Sequence, residues 1–117
     1  LNYINSDKRI ISCDSGSKEV DVSKIIYIES SGHKVTYHIH GKEFGDYVVK
    51  SKLDDIENEL KEYKYLLRVH QSYIVNMMYV NNISSYRVYL KNGIDLGVPK
   101  SRYKEVKKRI LEFKENN

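Results

Sequence analysis

The sequence is poor in residues that mark several classes of protein. Its 117 residues include one cysteine, one proline and no tryptophan, and its six glycines stand singly. A lone thiol cannot form an internal disulfide, which fits a reducing compartment, and we predict that Cys13 is a small apolar residue of a strand. Scattered glycines exclude a glycine-rich phosphate loop. No apolar run approaches the ~20 residues of a membrane span and no secretion signal is visible, so we expect a cytoplasmic fragment without a membrane segment.

Catalytic and metal-binding patterns are also absent from the sequence. It has no cysteine pair and no His-x-x-x-His spacing for zinc, and no Gly-x-Ser-x-Gly element surrounds Ser72. His38 and His40 would share one face of a strand; we interpret them as solvent-facing edge residues, and a shared metal is the alternative. Asp54 and Asp55 are expected in the first turn of a helix, where they interact with its dipole. We therefore predict no enzyme activity, no cofactor and no metal.

The charge is unevenly placed along the chain. The net charge is +4, but residues 1–65 carry 10 basic and 12 acidic side chains, whereas residues 66–117 carry 10 basic and only 4 acidic ones. A basic half beside a nearly neutral half is typical of a one-sided surface for a polyanion.

Strand patterns dominate the chain. Its length suits one domain spanning residues 1–117, and because the first residue is Leu1 we expect this domain to be excised from a longer protein. Hairpin turns are predicted at Gly41-Lys42 and Asn92-Gly93. Alternating or β-branched runs predict short strands at 8–13, 19–22, 25–29, 35–39, 66–69, 73–76, 79–85, 87–90 and 95–98. The many turns favour antiparallel pairing.

Two segments have helical periodicity instead. The first carries an apolar stripe at helical spacing, with Ser51 predicted as its N-cap; the stripe consists of Leu53, Ile56, Leu60 and Tyr63. The second begins with Pro99 in its first turn. Its apolar face is Tyr103, Val106, Ile110 and Phe113, and its outer face carries Lys104, Lys107, Lys108 and Lys114. The predicted fold is therefore mainly β, with short antiparallel sheets, one mid-chain helix and one C-terminal helix.

The most informative segment is Leu67-Arg68-Val69-His70-Gln71-Ser72-Tyr73-Ile74-Val75-Asn76. Polar side chains are concentrated between two apolar pairs, without a clean helix or strand period. Such a run is expected to be a surface turn held by buried neighbours, and a hydrogen-bonded loop without a ligand is the alternative.

This segment resembles the pattern Phe-x-Arg-x-His-x-Ser-x-x-Val-Asn of the LytTR family, the DNA-binding output domain of LytR- and AgrA-type response regulators. Leu66 takes the Phe position, and the matching residues are Arg68, His70, Ser72, Val75 and Asn76. Residues 21–30 are similar to the family segment that ends Ile-x-Tyr-Ile-Glu. Residues 92–103 are similar to its closing Asn-Gly and Val-Ser-Arg-Ser segment. The resemblance covers roughly residues 8–113.

The resemblance implies an elongated arrangement of antiparallel sheets whose loops, rather than a recognition helix, enter successive grooves of bent DNA. Its loop positions correspond here to base contacts by His33, Gln71 and Lys100. Gln pairs with adenine, Lys donates to guanine and His donates to a base acceptor. Phosphate contacts are expected from Lys34, Ser72, Ser101 and Arg102. His70 and Asn76 are expected to hold loop backbone.

Alternatives remain for some of these residues. In the competing interpretations, His33 is an ordinary exposed turn residue and Arg102 supports the start of the helix. The sequence also departs from the family in its closing segment, where Pro99 replaces the usual serine and Lys100 the usual arginine. Lysine lacks the planar fork of arginine, so the preferred DNA sequence cannot be transferred from a relative.

The resemblance also implies partners. We expect double-stranded promoter DNA, with direct repeats bound by two copies, and a receiver domain N-terminal to this one. A stand-alone or membrane-tethered regulator is the alternative arrangement. From a different class, a protein–protein interaction module with a small β fold remains open, because exposed tyrosines and mixed charge also suit such a surface.

Overall fold

The structure is a computed structural model that describes residues 7–41 and 46–116. Within them, ten strands and two α-helices follow one another along the chain. They are β1 (Lys8–Cys13), β2 (Gly16–Asp21), β3 (Ile25–Ser31), β4 (Lys34–Ile39), β5 (Tyr47–Lys50), α1 (Leu53–Glu59), β6 (Leu66–His70), β7 (Tyr73–Asn76), β8 (Val80–Ser84), β9 (Arg87–Leu90), β10 (Asp95–Gly97) and α2 (Lys100–Glu115). Short 3-10 helices at Val22–Lys24 and Met77–Tyr79 precede β3 and β8.

The described strands form three sheets, and every pairing is antiparallel. A five-stranded sheet has the order β5-β4-β3-β7-β6, β1 and β2 form a hairpin, and a three-stranded sheet has the order β10-β9-β8. This confirms the predicted mainly β class with two helices. The described residues measure 40 × 39 × 26 Å, so the arrangement extends in two directions rather than one.

Strand β3 lies at the centre of the five-stranded sheet and separates two hydrophobic cores. Ile25 and Ile28 pack with α1 and the β1–β2 hairpin, whereas Ile26 and Tyr27 pack with α2 and the three-stranded sheet. Alternate residues of a strand normally face opposite sides. The irregular register between Ile25 and Tyr27 changes that phase, and each face of the sheet is covered.

The element predictions hold best for short runs of β-branched and aromatic residues. The predicted bounds of β1, β7 and β9 are those of the structure, and the Asn92-Gly93 hairpin is confirmed. Strand β5 has no counterpart among the predicted strands. The predicted turn at Gly41-Lys42 runs into residues 42–45, which lie outside the described part of the chain.

The start of α1 differs from the prediction. Ser51 does not cap it, because the N-cap position belongs to Lys52 and has no side-chain cap bond. The backbone N–H of Ser51 donates instead to the carbonyl of His33 at 3.2 Å, which holds Ser51 against the β3–β4 turn. The helix ends at Glu59, although the apolar stripe continues into the following turn and stays buried.

Helix α2 buries the predicted apolar face. Val106 and Ile110 are buried, and Tyr103 and Phe113 pack against the same core. Pro99 is the N-cap rather than a residue of the first turn. The outer lysines are exposed as predicted, but Lys114 extends along the helix and donates from Nζ to the carbonyl of Val80 at 2.8 Å.

Candidate nucleic-acid interface

Two of the predicted loops lie side by side at one end of the five-stranded sheet. The turn between β3 and β4 contains Gly32, with a φ of +61° that favours glycine, and the exposed His33. The backbone N–H of Ser30 donates to the carbonyl of Ser72 at 2.9 Å. Because β3 and β7 are antiparallel neighbours, this bond joins the β3–β4 turn to the β6–β7 turn that carries Gln71.

The β6–β7 turn is held by the guanidinium group of Arg68. Its Nε donates to the carbonyl of His70 at 2.8 Å, and Nη2 donates to the carbonyl of Gln71 at 2.5 Å. Its Nη1 donates to the carboxylates of Asp54 at 3.0 Å and Glu57 at 2.7 Å on α1. The side chain of Arg68 is only 10% exposed. One planar group thus fixes the turn backbone to the neighbouring helix.

The same turn has a second internal bond. The Nδ1 atom of His70 accepts a hydrogen bond from the backbone N–H of Ser72 at 2.9 Å, and its ring contacts the Tyr73 ring at a centroid distance of 5.0 Å. These bonds occupy backbone groups of the turn, while the Gln71 side chain is exposed. The geometry therefore leaves an amide side chain in solvent on a fixed backbone.

The third predicted loop lies where α2 begins. Lys100, Ser101 and Arg102 are exposed, and the first turn contains no acidic residue. Arg102 lines a groove of about 360 Å³ together with Arg68, Leu67 and Ile74. This groove lies between Arg102 at the start of α2 and strand β6, whose Arg68 holds the second turn.

Asn76 lies at the other end of β7, away from Gln71. It is fully buried, and its Nδ2 donates to the carbonyls of Ser23 at 3.0 Å and Ile25 at 2.9 Å. Its Oδ1 accepts from the backbone N–H of Met78 at 2.9 Å. Asn76 therefore ties together the two 3-10 helices and is not at the surface of the three loops.

The predictions about His38 on β4 and about His40, which follows β4, need correction. His38 is not a solvent-facing edge residue, because β5 covers that edge and the side chain is only 21% exposed. Its two ring nitrogens lie 2.7 Å from carboxylate oxygens of Glu29 and Asp46. His40 instead contacts the Tyr79 ring. Within residues 7–41 and 46–116, no three His, Cys, Asp or Glu side chains form a group that could hold a metal ion.

The imidazole of His38 also stacks on the ring of Tyr27, with a centroid distance of 4.1 Å. Burial, and then the charge of Glu29, raise the pKa of Tyr27 to about 12. The phenol is therefore neutral at ordinary pH.

The predicted place of Cys13 in a strand is confirmed. Its side chain is half-buried, and burial raises the pKa of the thiol.

Arg68 is the functional residue that sequence reasoning missed. It matched the motif, but its role depends on two carboxylates of α1 that are 11 and 14 positions away in the chain. Their spacing from Arg68 has no period that identifies the contact before the fold is known.

The described helices include none that is both long and apolar enough to cross a membrane.

Comparisons with known proteins agree on one family. A family model described as the LytTr DNA-binding domain matches residues 15–111. The sensory transduction protein LytT of Bacillus subtilis (strain 168) is 33% identical over 97 residues, which cover 78% of this chain and 38% of that protein. A solved LytTr DNA-binding domain from Bacillus cereus shares the fold with a TM-score of 0.70 at 21% identity, covering 90% of this chain and 96% of the other.

Proposed function

The chain belongs to the LytTR family of DNA-binding domains, and we propose that it binds double-stranded DNA sequence-specifically through the three loops described above. The family is a class of DNA-binding domains and not of enzymes, and we infer that this chain has no catalytic activity. The observation that supports the proposal most is the held β6–β7 turn. Arg68 and His70 occupy its backbone groups and leave Gln71 exposed beside the turn of His33.

Each exposed side chain then has a role in reading bases. Gln71 pairs with adenine in the major groove through its amide, and Lys100 donates to the O6 and N7 acceptors of guanine. His33 donates to a base acceptor in the neighbouring groove. A good bidentate contact is worth about 1–3 kcal/mol of discrimination. Lys100 is a flexible point charge, so we expect weaker guanine preference than arginine would give.

Phosphate contacts set the register of the domain on the duplex. Lys34 follows His33 directly, and its only ion pair among the described residues is a 4.0 Å contact with the exposed Asp14, which is weak. Ser72 uses its backbone groups inside the protein, which leaves its hydroxyl for a phosphate. Ser101 and Arg102 add donors at the start of α2, where the helix dipole also favours an anion. His70 and Asn76 support loop backbone from within.

We further propose that the domain is the output part of a cytoplasmic two-component response regulator. The chain spans 38% of the length of the curated relative that it matches, and that relative is a sensory transduction protein. A receiver domain N-terminal to this one and promoters with direct repeats bound by two copies fit this arrangement. A protein-interaction module is less favoured, because the family of this chain is a class of DNA-binding domains and because the exposed His33, Lys34 and Gln71 lie on two adjacent turns.

The proposal is tested by changing the base-reading amide. A cognate duplex is first selected from a random oligonucleotide pool. Gln71→Ala should then weaken binding to that duplex by about 1–3 kcal/mol, or roughly 5- to 150-fold, and leave binding to a scrambled duplex nearly unchanged. Fluorescence anisotropy at fixed salt measures both.

The matched control is Asn81→Ala, which removes an exposed amide near the start of β8. It should bind both duplexes like the wild type. Equal loss of affinity for both duplexes in the Gln71→Ala variant would show that Gln71 does not read a base. A wild-type affinity for duplex DNA that does not fall with salt would argue for the protein-interaction alternative.

A further inference from the structure

Two lysines face each other directly beside the β3–β4 turn. Lys34 on β4 is the register partner of Lys50 on the edge strand β5, and Lys52 follows at the N-cap of α1. All three are exposed. These residues, Lys34, Lys50 and Lys52, are called the lysine ledge below.

Like charges directly opposite each other on neighbouring strands are destabilising. The only carboxylate within 4 Å of a ledge ammonium group, among residues 7–41 and 46–116, is Asp14, which is 4.0 Å from Lys34. That pair is exposed and contributes little, and Lys50 and Lys52 have no acidic partner in that part of the chain. Departures from local rules without internal compensation are expected at functional sites, and a cationic cluster fits a polyanion.

The ledge continues the surface of the reading loops. The backbone N–H of Ser51, between Lys50 and Lys52, donates to the carbonyl of His33 at 3.2 Å. Ser51 and Lys52 also line a surface cavity of about 350 Å³ together with Gly32, Gln71 and Ser72. The lysines therefore border the two turns to which the proposed function assigns base contacts.

We propose that Lys50 and Lys52, with Lys34, bind the phosphodiester backbone that flanks the bases read by His33. This inference rests on the proposed function. Each strand of a duplex has one phosphate for about every 3.4 Å of helix axis, so flexible lysines on adjacent strands reach different phosphates of one backbone. The contact extends the footprint over β5 without adding sequence preference, because phosphates are the same at every base.

The test compares two double variants that each remove two positive charges. Lys50→Ala/Lys52→Ala should lower the slope of log affinity against log salt concentration by roughly 2, since each lost phosphate contact lowers it by about 0.9. Its affinity near 0.1 M salt should fall by roughly 10- to 60-fold for the selected and the scrambled duplex alike, because a slope change of about 1.8 acts over the decade of salt concentration below 1 M. The ratio between the two duplexes should stay at the wild-type value.

The control is Lys24→Ala/Lys91→Ala, whose two residues are exposed at the opposite end of the five-stranded sheet. The carbonyl of Lys24 accepts from the N–H of His40, and the N–H of Lys91 donates to the carbonyl of Tyr79. The rings of His40 and Tyr79 contact each other, which places both lysines in one region. This variant should keep the wild-type salt slope.

Each outcome decides a different point. If the Lys50→Ala/Lys52→Ala variant has the same salt dependence of affinity as the control variant, the proposed phosphate contact of these lysines is wrong. The proposed function is then still supported. A wild type that binds no duplex would remove both. Thermal melting separates binding from folding: loss of like-charge repulsion should leave the melting temperature of the ledge variant unchanged or higher. A lower melting temperature together with an unchanged salt slope would assign these lysines a structural role instead.

Single neutral methylphosphonate substitutions in the duplex then locate the contact. Wild-type affinity should fall when a flanking phosphate under the ledge is neutralised, and the ledge variant should show no such loss at the same position. An equal loss in both proteins at every position would place these lysines away from the DNA backbone.

Discussion

The two ends of strand β7 use polar side chains in opposite ways. At its end, Asn76 is fully buried and both its amide atoms bond to backbone groups of the protein. Before its start, Arg68 and His70 bond to the backbone of the turn, and the side chain of Gln71, which follows them, remains exposed. One short motif therefore contains a polar network whose hydrogen bonds are all made within the protein, at the Asn76 end, and one that leaves a side chain exposed, at the Gln71 end.

The comparison distinguishes polar side chains that fix the fold from polar side chains that are available to a ligand. A buried polar group is tolerated only when its hydrogen bonds are made, so a satisfied Asn76 gives a single fixed chain path. At the other end, the supporting residues bond to carbonyl and N–H groups, which leaves a side chain free for a ligand. A held backbone with a free side chain is the arrangement that preorganised recognition needs.

The largest effect on the free energy of unfolding is expected at Asn76. Asn76→Ala leaves the carbonyls of Ser23 and Ile25 without their donor and the N–H of Met78 without its acceptor. Each buried group left unpaired costs about 1–3 kcal/mol. The free energy of unfolding, measured by urea denaturation, should therefore fall by about 3 kcal/mol or more.

The control for this change is Asn82→Ala, which removes an exposed amide on β8 and should change stability by no more than about 0.5 kcal/mol. Under conditions where the Asn76→Ala variant is folded, its preference for the selected duplex should equal that of the wild type, because Gln71 is at the other end. Equal stability of the two variants would contradict the structural role of Asn76.

A smaller effect on stability, with a separate effect on recognition, is expected at Arg68. In Arg68→Lys a single ammonium cannot contact two carbonyls and two carboxylates together. Since Asp54 and Glu57 are largely exposed, most of the loss comes from the carbonyls of His70 and Gln71. Stability should fall by about 1–2 kcal/mol, and discrimination between selected and scrambled duplexes should fall several-fold.

Arg9→Lys provides the matched control, because Arg9 also joins a backbone carbonyl and a carboxylate, Glu59 and Glu62, around the end of α1. It should lose stability without any change in discrimination. A variant at Arg68 that discriminates as well as the wild type would show that the turn keeps its shape without the guanidinium.

Local composition explains which elements the sequence predicts. The residues of β7, of β9 and of the Asn92-Gly93 turn themselves favour these elements, so strand composition and turn chemistry identify them. The cap of α1 does not, because Ser51 is held by His33, a residue 18 positions earlier. A bond between distant segments overrides the intrinsic preference of serine for the N-cap.

The same distinction applies to the candidate interface. The motif identifies the turn that carries Gln71, since its polar run lies between apolar pairs. It does not reveal that Arg68 supports the turn, nor that Lys50 lies opposite Lys34, because both facts depend on pairing between elements. For the same reason, periodicity alone could not predict that His38 contacts Glu29 and Asp46.

The smallest effect is expected at His70, whose Nδ1 accepts from the N–H of Ser72. Asparagine and leucine have the same branching, but only asparagine offers an acceptor oxygen near the position of Nδ1. Both His70→Asn and His70→Leu lose the ring contact with Tyr73, so comparing them isolates the hydrogen bond. The leucine variant should be less stable than the asparagine variant by about 1 kcal/mol or less, measured by urea denaturation. Its preference for the selected duplex should also fall about twofold further. Identical behaviour of the two variants would mean that the turn is fixed by Arg68 alone. Each end of β7 would then depend on one residue, Arg68 before its start and Asn76 at its end.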